Sequence, residues 1–165
     1  MKGPAGFGKI MNIMMNLILS VVIGLVVMSL LQKAGLAVLT PLTLFTSCVT
    51  TFVTGYTIAD LVPTLSWANA ISRALHAGKA ASYVISCVIM GVVLGALICL
   101  VSGYIMNMSA GGWAAVTSFW SSFIVLIMCV ATGVVLIIFA PVTKMAVAIS
   151  GFDPAGAQDT PPARG

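Results

Sequence analysis

Four long apolar runs dominate the chain: Ile10–Leu31, Leu36–Val62, Ala80–Ile105 and Trp113–Ala140. A helix needs about 20 apolar residues to cross the hydrocarbon core of a bilayer. Inside that core every backbone N–H and C=O must find its partner within the chain, which leaves helices as the solution for single runs of this kind. The expected fold is therefore an all-α membrane protein with four transmembrane helices. Composition agrees. Only 6% of the 165 residues are charged, against about 25% in a soluble domain, and the mean hydropathy is +1.19. Seven Lys+Arg and three Asp+Glu are too few to solvate a surface of this size. A soluble enzyme, a disulfide-rich secreted scaffold and a disordered chain are all poor fits, and four spans are expected to leave no room for a separate soluble catalytic domain. The first run follows Lys2 and Lys9, as in a secretory signal. It is longer than the usual apolar stretch of about 7–15 residues, and Gln32-Lys33-Ala34-Gly35 is a poor cleavage context. It reads as an uncleaved first helix.

The few cations are placed unevenly. With the N-terminus inside, the inner segments hold Lys2, Lys9, Arg73, Lys79, Lys144 and Arg164, and the outer loops hold only Lys33. Lys and Arg accumulate on the cytoplasmic side of short loops, so both termini are expected in the cytoplasm. The same sparse cations form no clustered basic face of the kind nucleic acid requires, and no nucleic-acid partner is expected. The inner segment 63–78 opens with Pro63, which suits a first helical turn. Leu65, Ala68, Ile71 and Leu75 recur there at helical spacing, and Trp67 suits the headgroup zone, so a short interfacial helix is expected. The tail 151–165, rich in Gly, Pro and Ala, is expected to be disordered.

The halves resemble each other. A shift of 78 positions lays Thr54-Gly55 on Thr132-Gly133, Pro63 on Pro141, and Ala70-Ile71-Ser72 on Ala148-Ile149-Ser150. A shift of 67 lays Val22-Ile23-Gly24 on Ile89-Met90-Gly91. The organisation expected is a first two-helix repeat over 1–79 and a second over 80–150. Each repeat crosses twice and so returns to its starting side. The two are parallel tandem hairpins, related by an axis along the membrane normal.

Each half resembles the small, uncharacterised two-helix bacterial membrane proteins grouped as a domain of unknown function. Their pattern has an Asn in the first helix, aromatics opening the second, and a terminal Pro-x-x-Arg/Lys before an apolar stub. Ala140-Pro141-Val142-Thr143-Lys144 fits it, with Trp113 and Trp120 at the helix start, whereas Pro63-Thr64-Leu65-Ser66 lacks the cation. The resemblance implies a multi-pass protein of the bacterial cytoplasmic (inner) membrane and implies no activity.

Chemistry-bearing residues are scarce. Cys48, Cys87, Cys99 and Cys129 lie within apolar runs with no C-x-x-C pair and no neighbouring His, so neither a metal site nor a redox motif is expected. No paired carboxylates, no nucleophile with a base and no phosphate-cradling loop occur. No catalytic residue, no cofactor and no enzymatic activity are expected. Small residues instead recur every fourth position: Cys87, Gly91, Gly95, Cys99 and Gly103 in the third run, Thr43, Ser47, Thr51, Gly55 and Ala59 in the second. Such stripes let helix backbones approach closely, which marks Gly24, Gly55, Gly91, Gly95 and Gly133 as packing positions and Pro63 and Pro141 as interfacial prolines. Asp60, the only acid before the tail, stands three residues before Pro63. It reads either as an interfacial partner for Arg73, Lys79 or Lys144, or as an ionisable group on a pathway. Asn16, Thr50 and Thr54 could line such a pathway with it.

Two functional readings follow. One is a structural or accessory subunit that packs in the lipid bilayer against itself, as a homo-oligomer, or against another membrane subunit. The other is a small transporter or channel with its polar pathway along the pseudo-two-fold axis. They differ in whether Asp60, Asn16, Thr50 and Thr54 converge on one cavity.

Overall fold

The computed structural model describes residues 2–33, 40–76 and 78–152. All regular structure among them is helical: α1 (Gly3–Lys33), α2 (Pro41–Leu61), α3 (Thr64–Ala74) and a helical stretch Lys79–Ser150. That stretch folds back on itself at Gly111 and Gly112, so its two spans are α4 (Ala80–Met108) and α5 (Gly111–Ser150). Gly112 holds φ +60° and ψ −154°, a region essentially open only to glycine. This pair replaces any loop at the turn. α1, α2, α4 and α5 are each long and apolar enough to span a membrane. The expected tail lies outside the described residues from 153 onward.

α1 runs through the middle of the packing. One stripe, Met11, Met15, Leu19, Ile23, Val27 and Leu31, is buried at four-residue spacing in a common core with Leu94 and Ile98 of α4 and Ile127 and Val135 of α5. The adjoining stripe, Asn12, Asn16, Ser20 and Gly24, meets α2, where Gly24 faces Cys48 and Asn16 faces Gly55. α2 begins with a reciprocal cap. Thr40 Oγ1 accepts from the Thr43 N–H and Thr43 Oγ1 accepts from the Thr40 N–H, with Pro41 in the first turn, so two otherwise orphaned donors are satisfied. The polarity of α2 is inverted relative to a soluble helix. Its buried residues are Ser47, Thr51, Thr54 and Gly55, while Leu42, Phe45, Val49 and Val53 are exposed. That is the arrangement a lipid-facing helix requires.

α4 divides its faces the same way. Met90, Leu94 and Ile98 join the core with α1, and Gly91, Gly95 and Gly103 lie against Thr132, Ala131 and Phe119 of α5. Two cross-helix hydrogen bonds lock this hairpin: Trp120 Nε1 donates to the Leu100 carbonyl (3.1 Å) and the Tyr83 hydroxyl to the Leu136 carbonyl (2.8 Å). Near its turn Tyr104, Trp113 and Trp120 meet in succession, one pair tilted and the next edge-on, with ring centroids 5.7 and 6.3 Å apart.

The two prolines behave differently. Pro63 ends α2 and starts α3. Pro141 stays inside α5, which continues to Ser150. Proline removes one helical hydrogen bond and crowds the carbonyl four residues back, so something must hold the helix beyond it. Val142, Ala146 and Ser150 are buried on one face, Phe152 packs edge-on against Phe7 of α1 at 6.0 Å, and the helix closes on Gly151 in the left-handed region. Tyr83 caps a carbonyl next to the one that Pro141 leaves unbonded. At 40 residues α5 is about 60 Å long, twice the hydrocarbon thickness of about 30 Å.

α3 packs on the α4–α5 unit. Its protein-facing residues are Thr64, Ala68 and Ser72, while Trp67, Ile71 and Leu75 are exposed. The small face thus meets protein and the apolar face is left uncovered.

The hairpins also differ in register. Gly24 lies on Cys48, whose counterpart under the 78-residue shift is Leu126, whereas Gly91 lies on Thr132.

Candidate functional site

The end of the bundle where α1 begins and α2 and α5 end holds a cavity of about 230 Å³ to which all five helices contribute. α1 brings Asn12 and Asn16 together on consecutive turns. Asn16 Nδ2 donates to both the Asn12 carbonyl and Asn12 Oδ1, and Asn12 Nδ2 reaches the Tyr56 carbonyl of α2 at 3.3 Å. Asn16 is only 2% exposed and its Oδ1 finds no donor among the described residues. Thr64, the first residue of α3, adds a third polar group, and α3 carries no side-chain cap at this end. The remaining wall is apolar and soft, with Phe7, Met15, Met90 and Phe139 prominent.

The expected pathway residues do not share this space. Asn16 lines the cavity, and Thr54, Thr50 and Asp60 do not. Thr54 is buried beside Gly55, Thr50 is half-buried, and Asp60 is exposed. No ion pair joins Asp60 to Lys144 or to any other described residue. Ser47, Thr51 and Ser102 border a separate void of about 10 Å³ deeper in the bundle, large enough for about one water, and Ser102 Oγ has no partner among the described residues. Other α2 hydroxyls turn to their own backbone, with Thr46 on the Leu42 carbonyl and Thr57 on that of Val53.

The glycines are unequal. A Cβ at Gly91 would meet the backbone of Thr132, at Gly95 the Met128 Cα at 3.0 Å, and at Gly24 the Cys48 sulfur at 2.8 Å. At Gly55 it would meet the Asn16 amide. Gly133 departs from the expectation, since a Cβ there would meet nothing within 4 Å. It borders an open groove with Cys129 and Val125. Among the described residues no cluster of three metal-ligating side chains forms.

Reading the sequence alone passes over Thr64 and the methionines of the cavity. A usable signal was there: Met11 and Met15 repeat the four-residue spacing of Asn12 and Asn16 on the neighbouring stripe of α1. No known protein family, curated protein or solved structure matches the chain.

Proposed function

We propose that this chain is a packing subunit of the bacterial inner membrane, built from two tandem parallel hairpins with both termini in the cytoplasm. The observation that carries the reading is the scatter of the polar residues. Among the described residues Asp60, Thr50 and Thr54 do not join Asn16 in its cavity, and Gly24, Gly91 and Gly95 draw the helices of each hairpin into close contact. Orientation rests on the cations. Lys2, Lys9, Arg73 and Lys144 stand on segments at one end of the helices and Lys33 at the other, in the sense of the positive-inside rule. The similarity of the halves to two-helix bacterial membrane proteins supports the same membrane and the same duplication. The groove at Cys129 and Gly133 is a face on which a second copy or another subunit could pack.

The inward hydroxyls of α2, Ser47, Thr51 and Thr54, favour a second reading, a small transporter with a polar pathway. Proton or cation flux into vesicles carrying the purified chain decides between them, measured for the native protein and Asp60→Asn. The packing reading expects no flux above empty vesicles with either protein. Flux that Asp60→Asn abolishes would replace it with the transport reading.

A further inference from the structure

We infer that the two segments following Pro63 and Pro141 form a pair of repeat-related faces that bind anionic phospholipid at the membrane surface. Their likeness is the first observation. Under the 78-residue shift Thr64, Ala68 and Ser72 of α3 fall on Val142, Ala146 and Ser150 of α5, and all of these are buried. Trp67 and Ile71 fall on Met145 and Ile149, and all of these are exposed. The same positions turn inward and the same positions turn outward in both halves, although α3 is a separate helix and the end of α5 is not. Large apolar side chains left outward at both places gain by leaving water.

Depth is the second. The 21 residues of α2 measure about 31 Å and match a hydrocarbon thickness of about 30 Å, so α3 begins where the hydrocarbon ends. In α5 the part ahead of Pro141, Gly111–Ala140, is already about 45 Å long. Ala59 and Phe139, close before the two prolines, line one cavity, which sets both prolines near one level. Both faces therefore lie past the hydrocarbon, in the headgroup layer. On α5 the exposed stripe reaches that layer without a break, because Ile137, Pro141, Met145 and Ile149 are all exposed at four-residue spacing. The outward face is thus continuous with the lipid-facing side of the span, which favours lipid over a protein partner. Charge selects the lipid. Lys2, Lys9, Arg73 and Lys144 are exposed at this end, against Asp60 as the one exposed acid among the described residues. An apolar face flanked by Lys and Arg settles at the boundary of headgroups and acyl chains and favours anionic lipid. The assignment rests on the membrane-spanning reading and holds whichever way the chain is oriented.

Ile71→Cys and Ile149→Cys, each in a cysteine-free full chain and labelled with bimane, make the faces testable. The labelled protein is placed in phosphatidylcholine nanodiscs holding an equal mole fraction of either brominated phosphatidylglycerol or brominated phosphatidylcholine. Both leaflets carry the same lipids, so the readout does not depend on orientation. Quenching at both positions should be at least twofold stronger with the anionic lipid. In Arg73→Gln/Lys144→Gln that preference should fall by at least half, and circular dichroism checks that the helices are intact. Val53→Cys, on the exposed side of α2, should be quenched by either lipid. No quenching at Val53 would refute the spanning of α2, which separates that failure from failure of the surface assignment. With Val53 quenched, no quenching at Ile71 and Ile149 by either lipid overturns the assignment. Access to aqueous iodide then leaves the faces in water, and protection from it leaves them under a protein partner or a second copy. Equal quenching by the two lipids overturns the choice of anionic lipid, and a preference unchanged in the double variant overturns the role given to the cations.

Discussion

Gly91 of α4 lies so close to Thr132 of α5 that a single added methyl group would strike the Thr132 backbone as well as its hydroxyl. Backbone cannot rotate away, so relief requires the two helices to separate. Gly91→Ala is expected to lower stability in detergent by about 1–3 kcal/mol, the usual cost of overpacking. Gly133→Ala is the matched control on the same hairpin. It meets open space and is expected to change stability by less than about 0.5 kcal/mol. Reversible unfolding of both variants in mixed micelles measures the difference, and equal effects would show that close approach at Gly91 does not hold the hairpin.

Gly55→Ala should fall between these two. Its added methyl meets the Asn16 amide, a side chain that can shift at the expense of its bonds to Asn12. Stability should therefore drop less than in Gly91→Ala. In the double variant Gly55→Ala/Asn16→Ala the further loss caused by the Gly55 methyl should vanish. A double-mutant cycle reads that coupling directly.

Tyr83→Phe removes the hydroxyl that reaches the Leu136 carbonyl at 2.8 Å. Interhelical hydrogen bonds in membranes average about 0.6 kcal/mol, with a ceiling near 1.7. A loss toward the upper part of that range is expected, because the neighbouring carbonyl has already lost its helical partner to Pro141. In Pro141→Ala, where that partner returns, the same substitution should cost less. An unchanged cost would mean that Tyr83 and Pro141 act independently.

Orientation is tested with single cysteines introduced into a cysteine-free chain. Lys33→Cys should react with a membrane-impermeant maleimide in intact cells, and Lys144→Cys only after lysis. The reverse pattern would invert the topology.

The spans were legible in the sequence because an apolar run is a local property, and so was the glycine face of α4, whose four-residue spacing places Gly91, Gly95 and Gly103 on one side of any helix. Pro63 and Pro141 show the limit. They occupy matching positions in the two halves, yet only Pro63 breaks its helix. The difference comes from what the following turns touch: Val142 and Ala146 are buried and Phe152 reaches Phe7, contacts between segments far apart in the chain. Gly133 fails for the same reason. Its resemblance to Gly55 is a matter of neighbours in sequence, and the different register of the second hairpin gives it no helix to face. The cavity was illegible as a whole, because its lining is drawn from five helices and only Asn16 stood out beforehand.

The inverted polarity of α2 has a consequence for how the protein is made. With Ser47, Thr51 and Thr54 inward, α2 is the least apolar of the four spans and gains least by entering lipid alone. α1 precedes it, is far more apolar, and carries Asn12, Asn16 and Ser20 on the stripe that meets α2. Partitioning from the translocon as a paired hairpin spares α2 from facing acyl chains with its polar side uncovered. The order of the helices along the chain thus sets the span that covers this polar side ahead of the span that needs it covered.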